Sequence, residues 1–327
     1  MLSESRDGSC DLPLYGQLSR QPDGLWLCTT ARLVVCWKIM RTGYSTREGR
    51  TLASAIWLAS AVLGLAVGSL SAQTGQTLPR DPCSTGEPRA RVAACSQLLQ
   101  RSTLDPKTRV GALVSRGDAH SALEELDLAM KDYQAALDLD ANSALALRSR
   151  AIARYRRGQN AEALADVTRA LTVAPDDVAS LRVRGAVRAE MGDAAHAIED
   201  YSKVLDRNPS DLTSREGRGL ALASTGDHAR AVQDFNRILE RQPRARVARA
   251  ARAFSLFQLR RYPLAIADWD QLLAADPAEL SLVYCRGAAK VLSGDASGRA
   301  DMESVRQQKP DVAAAQAAAC GTLRESR

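Results

Sequence analysis

The chain has 327 residues, 45% of them hydrophobic and 25% charged, with 44 basic against 38 acidic side chains. A net charge of +6 over this length is too small for the electrostatic footprint of a nucleic-acid-binding protein, so nucleic acid is excluded as a partner. From Gln73 onward the balance shrinks to 37 basic and 33 acidic residues.

The first distinct element is Leu52–Leu70, a run without a single charge, preceded by Arg47 and Arg50 and followed by Ser71, Ala72 and the polar stretch Gln73–Gln76. A basic start, an apolar middle and a small-residue exit predict a secretory signal peptide. An uncleaved anchor in the inner membrane is the alternative, because the run just reaches the length that spans a bilayer. Signal peptides begin close to the initiator, so Met40 is the expected start. Residues 1–39 then form a non-native extension, 40–72 the signal peptide and 73–86 a linker. A periplasmic location follows, with membrane contact only if Leu52–Leu70 stays uncleaved.

Beyond the linker a unit returns at one fixed interval: Arg150 with Ala151, Arg184 with Gly185, Arg218 with Gly219 and Arg252 with Ala253. The register extends back to Arg116 with Gly117 and forward to Arg286 with Gly287, giving six copies. A constant period of this length marks a stack of small supersecondary units. Within a unit, apolar residues recur at helical spacing in two runs, such as Leu181 to Ala189 and Ala194 to Leu205. Gly158, Gly192, Gly226 and Gly294 separate the runs, where a left-handed residue ends one helix, and Asp193, Asp227 and Asp295 follow as candidate N-caps. Pro175, Pro209, Pro243 and Pro277 close the second run. Each unit is therefore predicted to be a helical hairpin.

The second run carries Ala129, Ala163, Ala197, Ala231 and Ala265, each followed four positions later by Tyr133, Val167, Tyr201, Phe235 or Trp269. With the glycine of the first helix and the terminal proline, this pattern resembles the tetratricopeptide repeat. The family's tryptophan slot holds Leu113, Leu147, Leu181, Arg215, Arg249 and Val283 instead. The resemblance covers about 107–311 and implies an all-α fold, a right-handed α-solenoid of stacked antiparallel hairpins. Residues 87–104 resemble a lone second helix and 312–325 a lone first helix, expected to cap the two ends of a solenoid spanning 87–327. The sixth copy runs one residue short near Ser297 and has Gly298 in the alanine slot.

Four cysteines lie past the leader: Cys83, Cys95, Cys285 and Cys320. An even number in an exported chain predicts disulfides, and of the three possible connectivities we favour Cys83 with Cys95 and Cys285 with Cys320, because each pair would staple one capping half-unit. No C-x-x-C is present and the histidines are remote from the cysteines, so no metal is expected.

Two sets of charged residues keep the period. Arg116, Arg150, Arg184, Arg218, Arg252 and Arg286 precede the glycine slot, and Asp132, Asp166, Asp200, Asp234, Asp268 and Asp301 precede the aromatic slot. They could form a basic stripe for an acidic ligand, but we read them as a structural ladder joining first and second helices, since they recur together and a half-buried unpaired charge is costly. The resemblance also implies that first helices line a concave groove. Arg148, Ile152, Tyr155, Arg156, Arg182, Glu190, Phe254, Phe257, Gln258 and Tyr284 would point there. These positions vary from unit to unit, as specificity requires, and arginine and aromatic residues are frequent hot spots. The groove lacks the lysine and asparagine clamp of chaperone-binding members.

Catalysis finds no motif. His120, His196 and His228 stand in separate units, and Gly217 and Gly219 begin a dinucleotide fingerprint that Leu222 breaks. Neither H-E-x-x-H nor G-x-S-x-G is present. The expected function is a non-catalytic periplasmic scaffold that binds a protein segment in its groove, without a cofactor. An accessory protein for envelope polysaccharide or peptidoglycan, and a membrane-anchored assembly factor, are the alternatives.

Overall fold

The computed structural model describes residues 83–320, together with a two-residue antiparallel pairing of Ser19–Arg20 (β1) with Trp26–Leu27 (β2). Apart from that pairing, the extension lies outside the described residues, as do the signal peptide and the linker up to residue 82. So does the stretch of the expected C-terminal helix past Cys320.

From residue 83 every regular element is a helix. α1 (Pro88–Leu99) is followed by α2 (Pro106–Ala122), α3 (Leu126–Leu139), α4 (Ala144–Arg156), α5 (Asn160–Val173), α6 (Val178–Glu190), α7 (Ala194–Arg207) and α8 (Leu212–Ser224). Then come α9 (His228–Arg241), α10 (Arg246–Gln258), α11 (Tyr262–Ala275), α12 (Leu280–Leu292), α13 (Gly298–Gln308) and α14 (Pro310–Cys320). They fall into two compact units, one holding α1–α7 with α8 through Ala221, the other starting at Leu222 and holding α9–α14. Within the first unit α2 packs on α3, α4 on α5 and α6 on α7, and each pair packs on the next. In the second, α10 pairs with α11 and α12 with α13 in the same way.

Local chemistry sets these boundaries. Asp105 accepts from the Thr108 amide with Pro106 in the first turn of α2, and Asp177, Asp193 and Asp227 accept from the amides of Ser180, His196 and Arg230. α5, α7, α9 and α11 each end two residues before a proline, whose ring keeps the residue ahead of it out of helical space: Asn208 and Gln242 have φ near −130°. The left-handed position between helices is glycine at 158, 192, 226 and 294, but Glu124 (φ 64°) and Arg260 (φ 59°) occupy it in the first and fifth units. A side chain there carries a steric penalty that glycine lacks. Arg260→Gly should therefore raise stability by about 0.5–1 kcal/mol, read as a higher urea midpoint with an unchanged slope.

The alanine slot is the point of closest approach. Ala129, Ala163, Ala197, Ala231 and Ala265 are all fully buried, and the large residue four positions on is buried in every unit. Tyr201 shows why glycine faces it: a Cβ on Gly185 would lie 3.0 Å from the tyrosine ring, and one on Gly217 of α8 would lie 2.5 Å from it. One ring thus fills the gap between two first helices. Arg215 and Arg249, in the family's tryptophan slot, instead donate to the carbonyls of Pro209 and Pro243. Those hydrogen bonds tie the first helix to the turn that precedes it.

The terminal half-units depart in detail. In α1 the fully buried side chain is Cys95, which turns toward Cys83. α13 starts at Gly298, where its backbone meets that of Gly287 on α12 directly. α14 begins two residues earlier than the sequence suggested, at Pro310, which suits a first helical position because its missing N–H is not needed there.

Candidate functional site

The ladder is built from α2 upward. Arg116 donates from Nε and Nη2 to both oxygens of Asp132 at 2.8 and 2.6 Å, and Arg150 does the same to Asp166 at 2.7 Å. Arg184 holds Asp200 at 2.9 and 2.7 Å, and Arg252 holds Asp268 at 2.8 and 2.6 Å. In the shortened sixth unit both donors of Arg286 converge on one oxygen of Asp301. Arg218 is half-buried on α8 and Asp234 buried on α9.

Four of these guanidinium groups have a second duty that the spacing of arginine and aspartate did not disclose. Its remaining nitrogen crosses to the preceding second helix, where Gln134 receives Arg150, Ser202 receives Arg218, Asn236 receives Arg252 and Asp270 receives Arg286. These four acceptors keep the period of the arginines that they receive. The aspartates also collect a further cation, Arg154 on Asp166 and Arg188 on Asp200, both at 2.7 Å. In the rungs at Arg116, Arg150, Arg184, Arg252 and Arg286 the positive charge is thus matched by the chain's own carboxylates.

On the first-helix face the predicted groove residues separate into three kinds. The arginines are engaged: Arg148 binds Asp177 at 2.6 Å, Arg156 binds the Ser121 carbonyl and hydroxyl and Glu124, and Arg182 approaches Asp211 at 3.4 Å. Burial works against ionisation of Asp177, yet hydrogen bonds from Ser180 and Arg148 outweigh it and hold its carboxyl below the usual range. The Arg148 and Arg182 pairs use aspartates that accept from the first-turn amides of the following unit's first helix, so they set the spacing of successive first helices. Open side chains form the second kind. Ile152 is 37% exposed and Leu145, two turns earlier on the same face of α4, is 43% exposed, with Tyr155 half-buried beside them. Glu190 is half-buried and Gln258 exposed.

The third kind is a correction. Phe254, Phe257 and Tyr284 are 9%, 7% and 2% exposed and do not line an open groove. Phe257 stacks edge-on with Tyr262 and packs beside Trp269, while Phe254 meets the ring of His228. Helical spacing put these residues on the right face. Core packing within the second unit then covered them.

Glu216 on α8 occupies the slot of Arg148 and Arg182 with the opposite charge. Burial pushes its carboxyl above the ordinary glutamate range. A folded-state value raised above the unfolded one means that ionisation costs stability above that value and that the cost disappears as the pH falls through it. Glu216→Gln should therefore raise the melting temperature at pH 7 and leave it unchanged near pH 4. Equal shifts at both pH values would reject this account.

A hollow of about 690 Å³ opens elsewhere on the first unit, beside Pro175, Arg184, Lys203 and Arg207. Its Arg184 and Arg207 already pair with Asp200 and Asp176, and it lies away from the apolar row of α4. Among the described residues no three His, Cys, Asp or Glu side chains come together as a metal site, and no helix is long and apolar enough to cross a membrane. The sulfurs of Cys83 and Cys95, and those of Cys285 and Cys320, stand at bonding distance.

Tetratricopeptide repeat models match residues 110–143, 148–211 and 183–246. No curated protein sequence matches the chain. Among solved structures, pilF of Pseudomonas aeruginosa is similar at 16% identity and a TM-score of 0.53, covering 63% of this chain and 94% of that one. YrrB, described as a TPR protein with an unusual peptide-binding site, is 19% identical with a TM-score of 0.50, covering 57% of this chain and 95% of that one. A tetratricopeptide repeat protein from Parabacteroides merdae is 19% identical with a TM-score of 0.49, covering 71% and 92%. At such identities the likeness is one of fold. With the periodic framework, the paired helices and the matched repeat models together, the chain belongs to the tetratricopeptide repeat family.

Proposed function

We propose that this protein is a non-catalytic, exported scaffold that holds a segment of a partner protein on the first-helix face of its N-terminal unit. The observation that carries the reading is the contrast between a framework repeated at a constant period and a face that changes at each unit, with Leu145 and Ile152 left uncovered on α4. Arginines on this face are spent on internal aspartates, which favours a partner segment that offers apolar side chains over a purely acidic one. A peptide-binding site is described for YrrB, and the shared fold supports the same use here.

Export is supported by the Leu52–Leu70 run and by two cysteine pairs positioned to be oxidised. A natural terminus near Gln73 and an intact mass four hydrogen atoms below that of the reduced chain are the expected results. A photocrosslinking side chain at position 152, used in living cells, should capture one protein, and Ile152→Glu should prevent the same protein from co-purifying. Retention on cell-wall material alone, with no crosslinked protein, would overturn the reading.

A further inference from the structure

The positive charge of this protein is not spread evenly along it. Residues 228–261, one repeat length that covers α9 and α10, hold nine arginines and no lysine against two acidic side chains, Asp234 and Glu240. That surplus of seven exceeds the net charge of +6 carried by the whole chain. Three of the nine serve the framework: Arg246 binds Glu279, Arg249 binds Asp268 and the Pro243 carbonyl, and Arg252 binds Asp268. Arg230 and Arg237 make exposed pairs with Asp227 and Glu240. Arg241, Arg244, Arg260 and Arg261 are exposed and have no carboxylate partner among the described residues. The last two stand past the far end of α10, about 20 Å along the helix from the first two.

Arg241 and Arg244 flank the turn that leads from α9 into α10, and the repeat gives Arg244 no structural task. In the first unit the same two slots hold Arg207 and Asp176, which pair with each other across successive turns. Arg244 stands in the slot of Asp176 with the charge reversed, and the slot of Arg207 one repeat further on holds Ala275, which cannot pair with it. Arg237 lies one turn before Arg241 on the same face of α9, and Arg249 fixes the turn through the Pro243 carbonyl. A shallow hollow of about 490 Å³ at the turn is lined by Gln242, Pro243, Arg244 and Ala245, and Val247 just past it is 47% exposed. Guanidinium groups without an internal carboxylate keep their fork of donors for one from outside. A face that rests on lipid carries aromatic side chains, and residues 236–253 contain none. We propose that the turn between α9 and α10 is a second docking surface, for an acidic segment of a partner protein whose carboxylates pair with Arg241 and Arg244 and whose apolar side chain lies over Pro243 and Ala245. The surface is independent of Ile152, which is in the other unit and favours an apolar segment.

Fluorescence anisotropy of a labelled peptide, four repeats of Asp-Glu-Leu, tests the surface on the full chain at about 0.15 M salt. The peptide should bind, its Asn-Gln-Leu counterpart should not, and Arg241→Ser/Arg244→Ser should weaken binding roughly tenfold or more. Arg89→Ser/Arg101→Ser removes the same charge from two exposed arginines of the other unit and should leave the affinity unchanged. Arg241→Lys/Arg244→Lys, which keeps the charge and loses the planar fork, should fall between the native chain and the serine variant. Circular dichroism should show the same melting temperature for all of these chains, because every replaced side chain is exposed. Absence of peptide binding, or equal weakening by the two serine variants, would overturn the proposal, the latter by reducing the effect to net charge. Tighter binding to phosphatidylglycerol vesicles or to oligothymidylate than to the peptide, lost in Arg241→Ser/Arg244→Ser, would also overturn it and give the surface to lipid or nucleic acid. None of these results bears on the crosslinking at position 152.

Discussion

Asp200→Asn is expected to destabilise the protein by about 3 kcal/mol, because it strands two half-buried guanidinium groups on a neutral amide. Asp200 is 1% exposed at its side chain, with Arg184 at 15% and Arg188 at 20%, so water cannot replace the lost charge. Asparagine keeps the volume and one acceptor, which isolates the electrostatic part. For a chain of this size the loss corresponds to a fall of roughly 5–10 °C in the melting temperature, measured by circular dichroism. The exposed pair Arg230 with Asp227 is the control: Arg230→Ala should shift the midpoint by less than the error, since solvent screens such pairs. If the two variants melted alike, the ladder would carry no more than surface charge does.

The second large effect concerns Gly298. Alanine is ordinarily the better helix former by about 1 kcal/mol. Here a Cβ would sit 2.2 Å from the Gly287 carbonyl oxygen, and the obstacle is backbone, which cannot rotate away as a side chain would. Gly298→Ala must push α13 off α12, and the expected net loss is about 2–3 kcal/mol. Trp269 lies in the core of the second unit and is the only tryptophan after Gln73, so its fluorescence follows that unit alone. Its urea midpoint should fall in Gly298→Ala and stay in place for Asp200→Asn if the units melt separately. A Gly298→Ala protein with the native Trp269 midpoint would show that the crossing of α12 and α13 is looser than the contact implies.

Both variants act on the framework, and the framework is the part of the molecule that its sequence states openly. The positions of Gly185, Ala197 and Tyr201 recur because each unit solves the same packing problem with a small residue on the first helix and a small and a larger one on the second. The left-handed turn was legible at Gly158 and Gly192, where glycine marks it, and illegible at Glu124 and Arg260, where the neighbouring helices impose the conformation on a residue that gives no sign of it. The ladder was legible as arginine with aspartate. Its third partner was hidden because Gln134, Ser202, Asn236 and Asp270 share polarity but not identity, and a guanidinium donates to any of them.

The groove marks the boundary between the two kinds of knowledge. Period and helical spacing alone determined that Ile152, Phe254 and Tyr284 stand on the same face of their first helices, because the helical repeat fixes which side chains share a face. Only the tertiary structure decided that Ile152 is open while Phe254 and Tyr284 are buried, and that Arg148 and Arg182 are occupied by the aspartates of the next unit. A face is a property of one helix, but exposure depends on what the rest of the chain lays over it. In the second unit that includes α14, brought from far along the chain to Cys285 and Gln258.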